Sequence, residues 1–574
     1  MSKVKKNLRV AMPAWEIGRA NTGLGAKVGG LGVIVEELPP ELVKAAAKQE
    51  IALEIETLSP CFAYYDKTKL TKLELKIPVA LNGHTFEFEV YKHTFPDGQT
   101  VVYFWDEWQL GWTIAPAYIY PSDPEVAFKL FAAVSQAMAG YIEQGNFDTI
   151  HSHDYHVGLI PFYLSDAFLA RVPHHFTIHN ATYQGMYPVY GRGYERLASI
   201  NLSGEKFFHK YFDFFDHLNF MKAAMIKTHE SGGKITTVSG DIAGTWGYAA
   251  ELRESAAELR ARAQAQKWWA PVGEVFVPNR GLDVFEKLPV AGITNGMSDR
   301  NRPENLPELK AATLEAMQKK TDRPLFSNPL VQAEMLSKDH NFNAQHLSVK
   351  SQLKHLLHLE AFGSEAVHDP ILITAVGRLV AQKNLGLVAD IIGRSLAYDT
   401  GVKFIILASA PPDDAGGKSE EARFFELAQR HPGRVYFNNT FNLPLSKLIL
   451  AGGDFSLIPS RFEPCGLVDY EASLLGNLVI GRLTGGLAKV RHCAYLYEWL
   501  DISDRSGEAN AFFEQLKAAV DVYRQNPSRH WELMKAAMAL DASWDKSAAQ
   551  YIQMYRFGLQ MKRWQAARRK LLGD

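Results

Sequence analysis

Cysteine is scarce: Cys61, Cys465 and Cys493 are the only three in 574 residues, far apart and without a CxxC pair. That argues against a disulfide framework or a zinc site and favours a reducing compartment. Net charge is scarce too. The 62 lysines and arginines nearly balance 63 acids, so there is no global electrostatic case for nucleic acid or an anionic membrane as partner. No run of about 18 apolar residues occurs, so no membrane span is expected. Residues 1–10 pass from a few lysines into a strand-like run. That leaves no room for a signal or transit peptide, and the cytoplasm is the expected location. What remains is 47% hydrophobic and 22% charged, an ordinary globular composition on a chain too long for one core.

Short β-type runs alternate with longer helical patterns, the signature of parallel sheets covered by helices. Residues 8–12 read as the first strand, and a Gly-rich turn containing Lys27, Gly29 and Gly30 precedes a helix carrying Val33, Ile34, Glu37 and Leu38. Glycines let backbone approach a ligand closely, and Lys27 could meet a phosphate there. Residues 84–105 alternate like added antiparallel strands, and a helix is expected over 124–144. The run Thr149-Ile-His-Ser-His-Asp-Tyr-His156 ends a strand in three histidines and one carboxylate. Its spacing fits no common zinc template, so no metal is assigned, and sugar-binding groups are the better reading. His179, Asn180 and Gln184 follow the strand at 176–178 in the same way. A charged, Ala-rich helix over 248–266 reads as a solvated surface insertion.

After a linker at 300–307, a second sheet begins at 371–376 and leads into Gly377-Arg-Leu-Val-Ala-Gln-Lys383. Two cations between a buried strand and a helix start suit a diphosphate. Strands at 403–407 and 435–437 lead to Phe441. The run Phe455–Pro459 then ends in a turn carrying Arg461 and Glu463, with a helix expected to open at Gly466. Thr484-Gly-Gly486 is a third turn able to offer backbone N–H groups to oxygen. Ligands of open parallel sheets bind outside the carboxyl ends of the strands. The expected fold class is α/β: two doubly wound, Rossmann-like domains facing a central cleft.

Placed in order, these segments resemble the glycogen and starch synthase family of retaining glucosyltransferases with the GT-B fold. Lys27-Val-Gly-Gly-Leu is similar to its KxGGL loop, His153-Asp-Tyr-His-Val-Gly to HDWHxG, and His179-Asn-Ala-Thr-Tyr-Gln-Gly to HNxxYQG. Thr236-Thr-Val-Ser, Gly292-Ile-Thr-Asn-Gly, Gly377-Arg-Leu-Val-Ala-Gln-Lys and Thr484-Gly-Gly-Leu-Ala follow in sequence, and Ser460-Arg-Phe-Glu-Pro-Cys-Gly-Leu matches unchanged. The resemblance implies domains at 1–298 (acceptor side) and 299–543 (donor side), with a helix at 544–574 crossing back. It implies a catalytic set of Glu463, Asp154, His179, Arg378 and Lys383. Donor binding would fall to Lys27, Gly29, Gly30, Phe441, Cys465, Gly466, Leu467, Glu471, Thr484, Gly485 and Gly486. The acceptor and sugar side would comprise Tyr155, Asn180, Gln184 and Asn295. The partners implied are a nucleotide-diphosphate-glucose, ADP-glucose before UDP-glucose, and an α-1,4-glucan. No cofactor or metal is implied.

The chain departs from the motifs at Val33, where KxGGL continues with Asp, at Lys489, where TGGLAD carries Asp, at Tyr155, and at Ser298. Residues 19–24 and 248–285 are extra, and Glu463 with Glu471 forms an E-x7-E spacing found in related GT-B transferases. These departures keep two alternatives open: a related transferase with another acceptor, and a glucan-binding homologue of low turnover.

Overall fold

Apolar runs of four to eight residues become strands buried on both faces, and they assemble into two separate parallel-rich sheets. A computed structural model describes residues 7–26, 28–189, 191–214, 217–254, 287–342, 347–366, 368–501 and 503–572. The first half supplies β1 (Asn7–Pro13), β2 (Ala52–Pro60), β3 (Thr71–Leu81), β4 (His84–Thr94), β5 (Thr100–Trp105), β6 (Thr149–His153) and β7 (His174–Ile178). It continues with β8 (Met186–Pro188), β9 (Asp213–Phe214), β10 (His217–Asn219), β11 (Ile235–Thr237) and β12 (Val290–Gly292). Nine of these form one sheet in the order β12-β11-β7-β6-β1-β2-β5-β4-β3, while β8, β10 and β9 make a small separate sheet.

The expected antiparallel addition is only partly so. β5 pairs antiparallel with β4 but parallel with β2, and so joins the hairpin to the main sheet. Its outer strand β3 turns into β4 through Asn82-Gly83, at φ 50° and 77°, the left-handed pair that a tight hairpin favours. The helix expected over 124–144 spans Pro124–Gln144, started by the Asp123 side chain on the amides of Glu125 and Val126.

The second half supplies β13 (Ile371–Arg378), β14 (Val402–Ser409), β15 (Val435–Asn438), β16 (Phe455–Ile458), β17 (Leu478–Arg482) and β18 (Tyr495–Tyr497). They form an all-parallel sheet in the order β15-β14-β13-β16-β17-β18. Strand order reverses between β13 and β16, and between β1 and β6 in the first sheet. A crevice opens at each reversal, outside the carboxyl ends of the strands. The last helix, Asp545–Leu572, returns to the first sheet. Trp544, Tyr551 and Tyr555 pack there with Val10, Ile34 and Leu38, and the Tyr555 hydroxyl lies 2.8 Å from His151 Nδ1. Among the described residues no helix is long and apolar enough to cross a membrane.

Candidate active site

The second sheet's reversal point gathers the residues that its sequence marked. Arg378 is the exposed last residue of β13, and Lys383 follows in the next turn. β16 is wholly buried and delivers Ser460 and Glu463 just beyond its end. Lys383 Nζ sits 2.5 Å from Glu463 Oε2, and Ser460 Oγ donates to the same oxygen at 3.2 Å. The Arg461 amide donates to the Gln382 carbonyl at 2.8 Å, joining the two turns. Lys383, Ser460 and Glu463, with Gly466 and Leu467, line a cavity of 60 Å³.

The helix expected to open at Gly466 begins instead at Val468 and runs only to Leu474. Gly466 adopts φ 74°, where its turn reverses, and a side chain there would be strained. Cys465 is buried, and its thiol is pushed up to about 11 by burial. Glu471 accepts from Lys447 Nζ at 2.9 Å, a specific tie to the neighbouring helix Leu443–Gly452. Phe441, two residues before that helix, has 69% of its surface exposed.

The first sheet's reversal point presents Asp154, the residue after β6. It is buried at φ 64° and ψ 167°, a costly geometry for a non-glycine that marks functional turns. Its Oδ1 accepts the His179 amide at 2.8 Å. Burial pushes its carboxyl up to about 7, against the His179 and Asn180 amides, which favour the anion. His153 Nδ1 and His179 Nε2 lie 2.8 Å apart, so one ring must donate to the other. Burial pulls His179 down to about 3 and His153 well below its ordinary value. Both are neutral hydrogen-bonding rings at pH 7. His151 is held by Tyr555 and Thr177, and His156 lies among Trp15, Phe131 and Tyr155. The three histidines thus take separate hydrogen-bond and packing partners, with the His151 and His153 rings 4.2 Å apart.

Several expected binding groups are engaged within the chain. The Gln184 amide donates to the Ala181 carbonyl at 2.9 Å and accepts from Asn219 at 2.9 Å, so it holds its loop rather than offering a free group. Asn180 Oδ1 accepts the Thr182 amide at 3.0 Å. The Tyr155 ring packs on Phe131 and His156. Lys27 lies outside the described residues. The loop bearing Gly29 and Gly30 is not an open cradle, because the amides of Val28 and Gly32 each donate to Glu16 at 3.1 Å.

Sequence reading missed Glu16. The available signal was its place just past the first strand's carboxyl end. It is 1% exposed, and burial pushes it from an ordinary 4.5 up to about 7, against the loop amides and Tyr120. A carboxyl raised on folding supports stability below about 4.5 and loses that support as pH rises through about 7. Glu16→Gln is therefore expected to raise the melting temperature over wild type at pH 8 and to do so less at pH 4.5. Melts at the two pH values check it, and an equal effect at both would refute a buried charge there.

The two walls touch. Ser239 Oγ donates to the Pro464 carbonyl. Buried Asn295 follows β12, its amide against Cys465. The charged helix expected as a surface insertion is described over Gly247–Arg253, with Tyr248, Ala249 and Leu252 buried; its expected continuation from 255 lies outside the described residues. Its Glu251 reaches the facing loop, accepting from Gly485 N at 2.6 Å and Thr484 Oγ at 3.0 Å. These groups were read as donor cradle, and here a carboxylate of the opposite wall occupies them. The start of this helix is thus not the solvated surface that its charges suggested, because a charge pattern cannot reveal that it packs across a cleft.

Comparison with known proteins agrees with this geometry. Residues 9–254 match the family model described as the starch synthase catalytic domain. The chain is 30% identical over 422 residues to a glycogen synthase of Desulforudis audaxviator, covering 71% of this chain and 69% of that protein. It is 28% identical over 584 residues to a glycogen synthase of Pseudothermotoga lettingae, covering 97% and 100%. The catalytic domain of starch synthase IV from Arabidopsis thaliana, solved bound to ADP and acarbose, superposes with a TM-score of 0.70 at 23% identity, covering 96% and 100%. The fold is GT-B.

Proposed function

This chain belongs to the glycogen and starch synthase family of glucosyltransferases, and we propose that it transfers glucose from ADP-glucose to the non-reducing 4-hydroxyl end of an α-1,4-glucan, with retention and without a cofactor or metal. The observation that carries the reading is the convergence of Lys383, Glu463 and the Gly486 turn beside the strand-order reversal of the second sheet, through the Lys383–Glu463 ion pair and the Gly486 amide on the Glu463 carbonyl, with Asp154 and His179 joined at the reversal of the first sheet.

In this reading the exposed Arg378 and the Lys383 ammonium neutralise the departing diphosphate, whose charge grows in the transition state. The amides and hydroxyl of Thr484 and Gly485 add to that field once the diphosphate takes the place of Glu251. Glu463, held by Lys383 and Ser460, keeps lone pairs for the glucose hydroxyls. Asp154 and His179 hold the sugar from the other wall, where a neutral His179 can accept or donate a hydrogen bond without adding charge. No side chain is assigned as a nucleophile.

The exposed ring of Phe441 supports stacking on the donor base. Phe441→Ala is expected to raise the KM for ADP-glucose about tenfold, as loss of one base–aromatic contact would, with kcat little changed. An unchanged KM would remove the ring from the donor site. The whole reading is tested by assaying ADP-, UDP- and GDP-glucose with glycogen, with maltooligosaccharides and without acceptor. Elongation from ADP-glucose is the expected result, and a preference for UDP-glucose would revise the donor alone. No elongation from any of the three would overturn the reading.

A further inference from the structure

Lys489 reverses the charge that the family motif carries at this place, and the reversal is internal. Its side chain is 3% exposed and forms an ion pair with Asp469, which is 1% exposed. The ammonium also donates to the carbonyls of Cys465 at 2.5 Å, Gly466 at 3.0 Å and Gly486 at 3.3 Å. Two turns therefore share one buried cation. A second fastening runs from Gly486 N to the Glu463 carbonyl at 2.7 Å. The contact is so close that a Cβ on Gly486 would lie 1.7 Å from the Cys465 oxygen.

Peptide planarity gives this arrangement a direction. In a trans peptide the N–H points opposite to the C=O. Drawing the Cys465 and Gly466 carbonyls onto Lys489 turns the amides of Gly466 and Leu467 to the other side of the turn. Among the described residues neither amide donates to a backbone carbonyl. Gly466 and Leu467 line the same cavity as Lys383 and Glu463, and Lys489 is not among its lining residues.

We propose that Lys489 is a positioning residue for the donor diphosphate: it holds the Cys465–Leu467 peptides with their amides toward the phosphates and fixes the Gly485–Gly486 turn against them. Asp469 keeps the buried cation neutralised and does not itself orient the amides. The proposal rests on the reading of this cleft as a nucleotide-sugar site.

The two charges make separable predictions. In Lys489→Met/Asp469→Asn both are removed, so no buried carboxylate is stranded. ADP affinity by titration calorimetry is expected to fall about tenfold, as for loss of charge-assisted hydrogen bonds. The KM for ADP-glucose should rise by the same factor while the KM for maltooligosaccharide is unchanged. Asp469→Asn alone keeps the three carbonyl contacts, and its ADP affinity should stay near wild type. Lys489→Gln/Asp469→Asn, which keeps an amide donor, serves if the first variant does not fold; a smaller loss in the same direction is expected. Wild-type ADP affinity in either folded double variant would overturn the proposal, and so would equal losses in the double and the Asp469→Asn variants. Wild-type protein that binds none of ADP, UDP and GDP would overturn the cleft reading, and the proposal with it.

Discussion

Lys383→Ala is expected to lower kcat/KM for the nucleotide-sugar by about a hundredfold or more, the usual effect of losing one charge-directed contact to a leaving group, roughly 3 kcal/mol. The structure adds a second reason. Lys383 is the only cation paired with Glu463 among the described residues, and Glu463 is itself 7% exposed. Removing the ammonium strands a carboxylate whose other side-chain donor among the described residues is the Ser460 hydroxyl. Glu463→Ala should lose as much, since Lys383 then has no carboxylate to aim it. The two act as a unit, so the double variant is expected to be little worse than the poorer single one. Steady-state kinetics on folded single and double variants checks this. Additive losses would mean that the residues work independently, and near-normal rates in both single variants would show that the active site lies elsewhere.

How much of this was legible in the sequence depended on how local the signal was. β13, β14 and β16 carry the mostly apolar runs that a doubly covered parallel sheet demands. The helix Pro124–Gln144 was bounded by its own cap and by Gly145. β3 was missed because Thr71-Lys-Leu-Glu-Leu-Lys-Ile77 is a mostly solvated edge, and its lysines read as surface whatever the backbone does. In the site, Arg378, Lys383, Glu463, Asp154 and His179 stood out because each lies at or just past a strand end. Glu16, Glu251 and Lys489 did not reveal their roles. Each depends on a partner from another turn or the opposite wall, and no periodicity encodes such a contact. Gln184 shows the converse. A polar group at a strand end is as readily used by its own loop as by a ligand, and only the partners distinguish the two.

Trp544→Ala is expected to destabilise the protein by about 3–5 kcal/mol, the range for truncating a buried large aromatic. The chain passes between the two sheets twice, after β12 and again before the last helix. Both passages are tied to one carboxylate. Glu37, on the helix Gly30–Ala47, accepts from Ser298 N at 3.0 Å, Ser298 Oγ at 2.9 Å and Asn301 Nδ2 at 2.6 Å. Trp544 Nε1 completes the set at 3.1 Å, with its ring 2% exposed. Burial raises the Glu37 pKa, and the Trp544 and Ser298 contacts oppose that rise. Deleting the indole N–H therefore raises it further. The ionised carboxylate then costs more, so the deficit of the variant should grow as pH rises above the ordinary carboxylate range. Trp544→Phe separates the terms, since it restores most of the packing but not the N–H. Its deficit should be small at pH 5 and larger at pH 8, measured by urea unfolding at both. A deficit in Trp544→Phe that ignores pH would mean that Glu37 does not feel the indole. The last helix would then be held without Glu37, by its apolar packing and by polar contacts such as Tyr555 on His151, and the two passages between the sheets would be independent of one another.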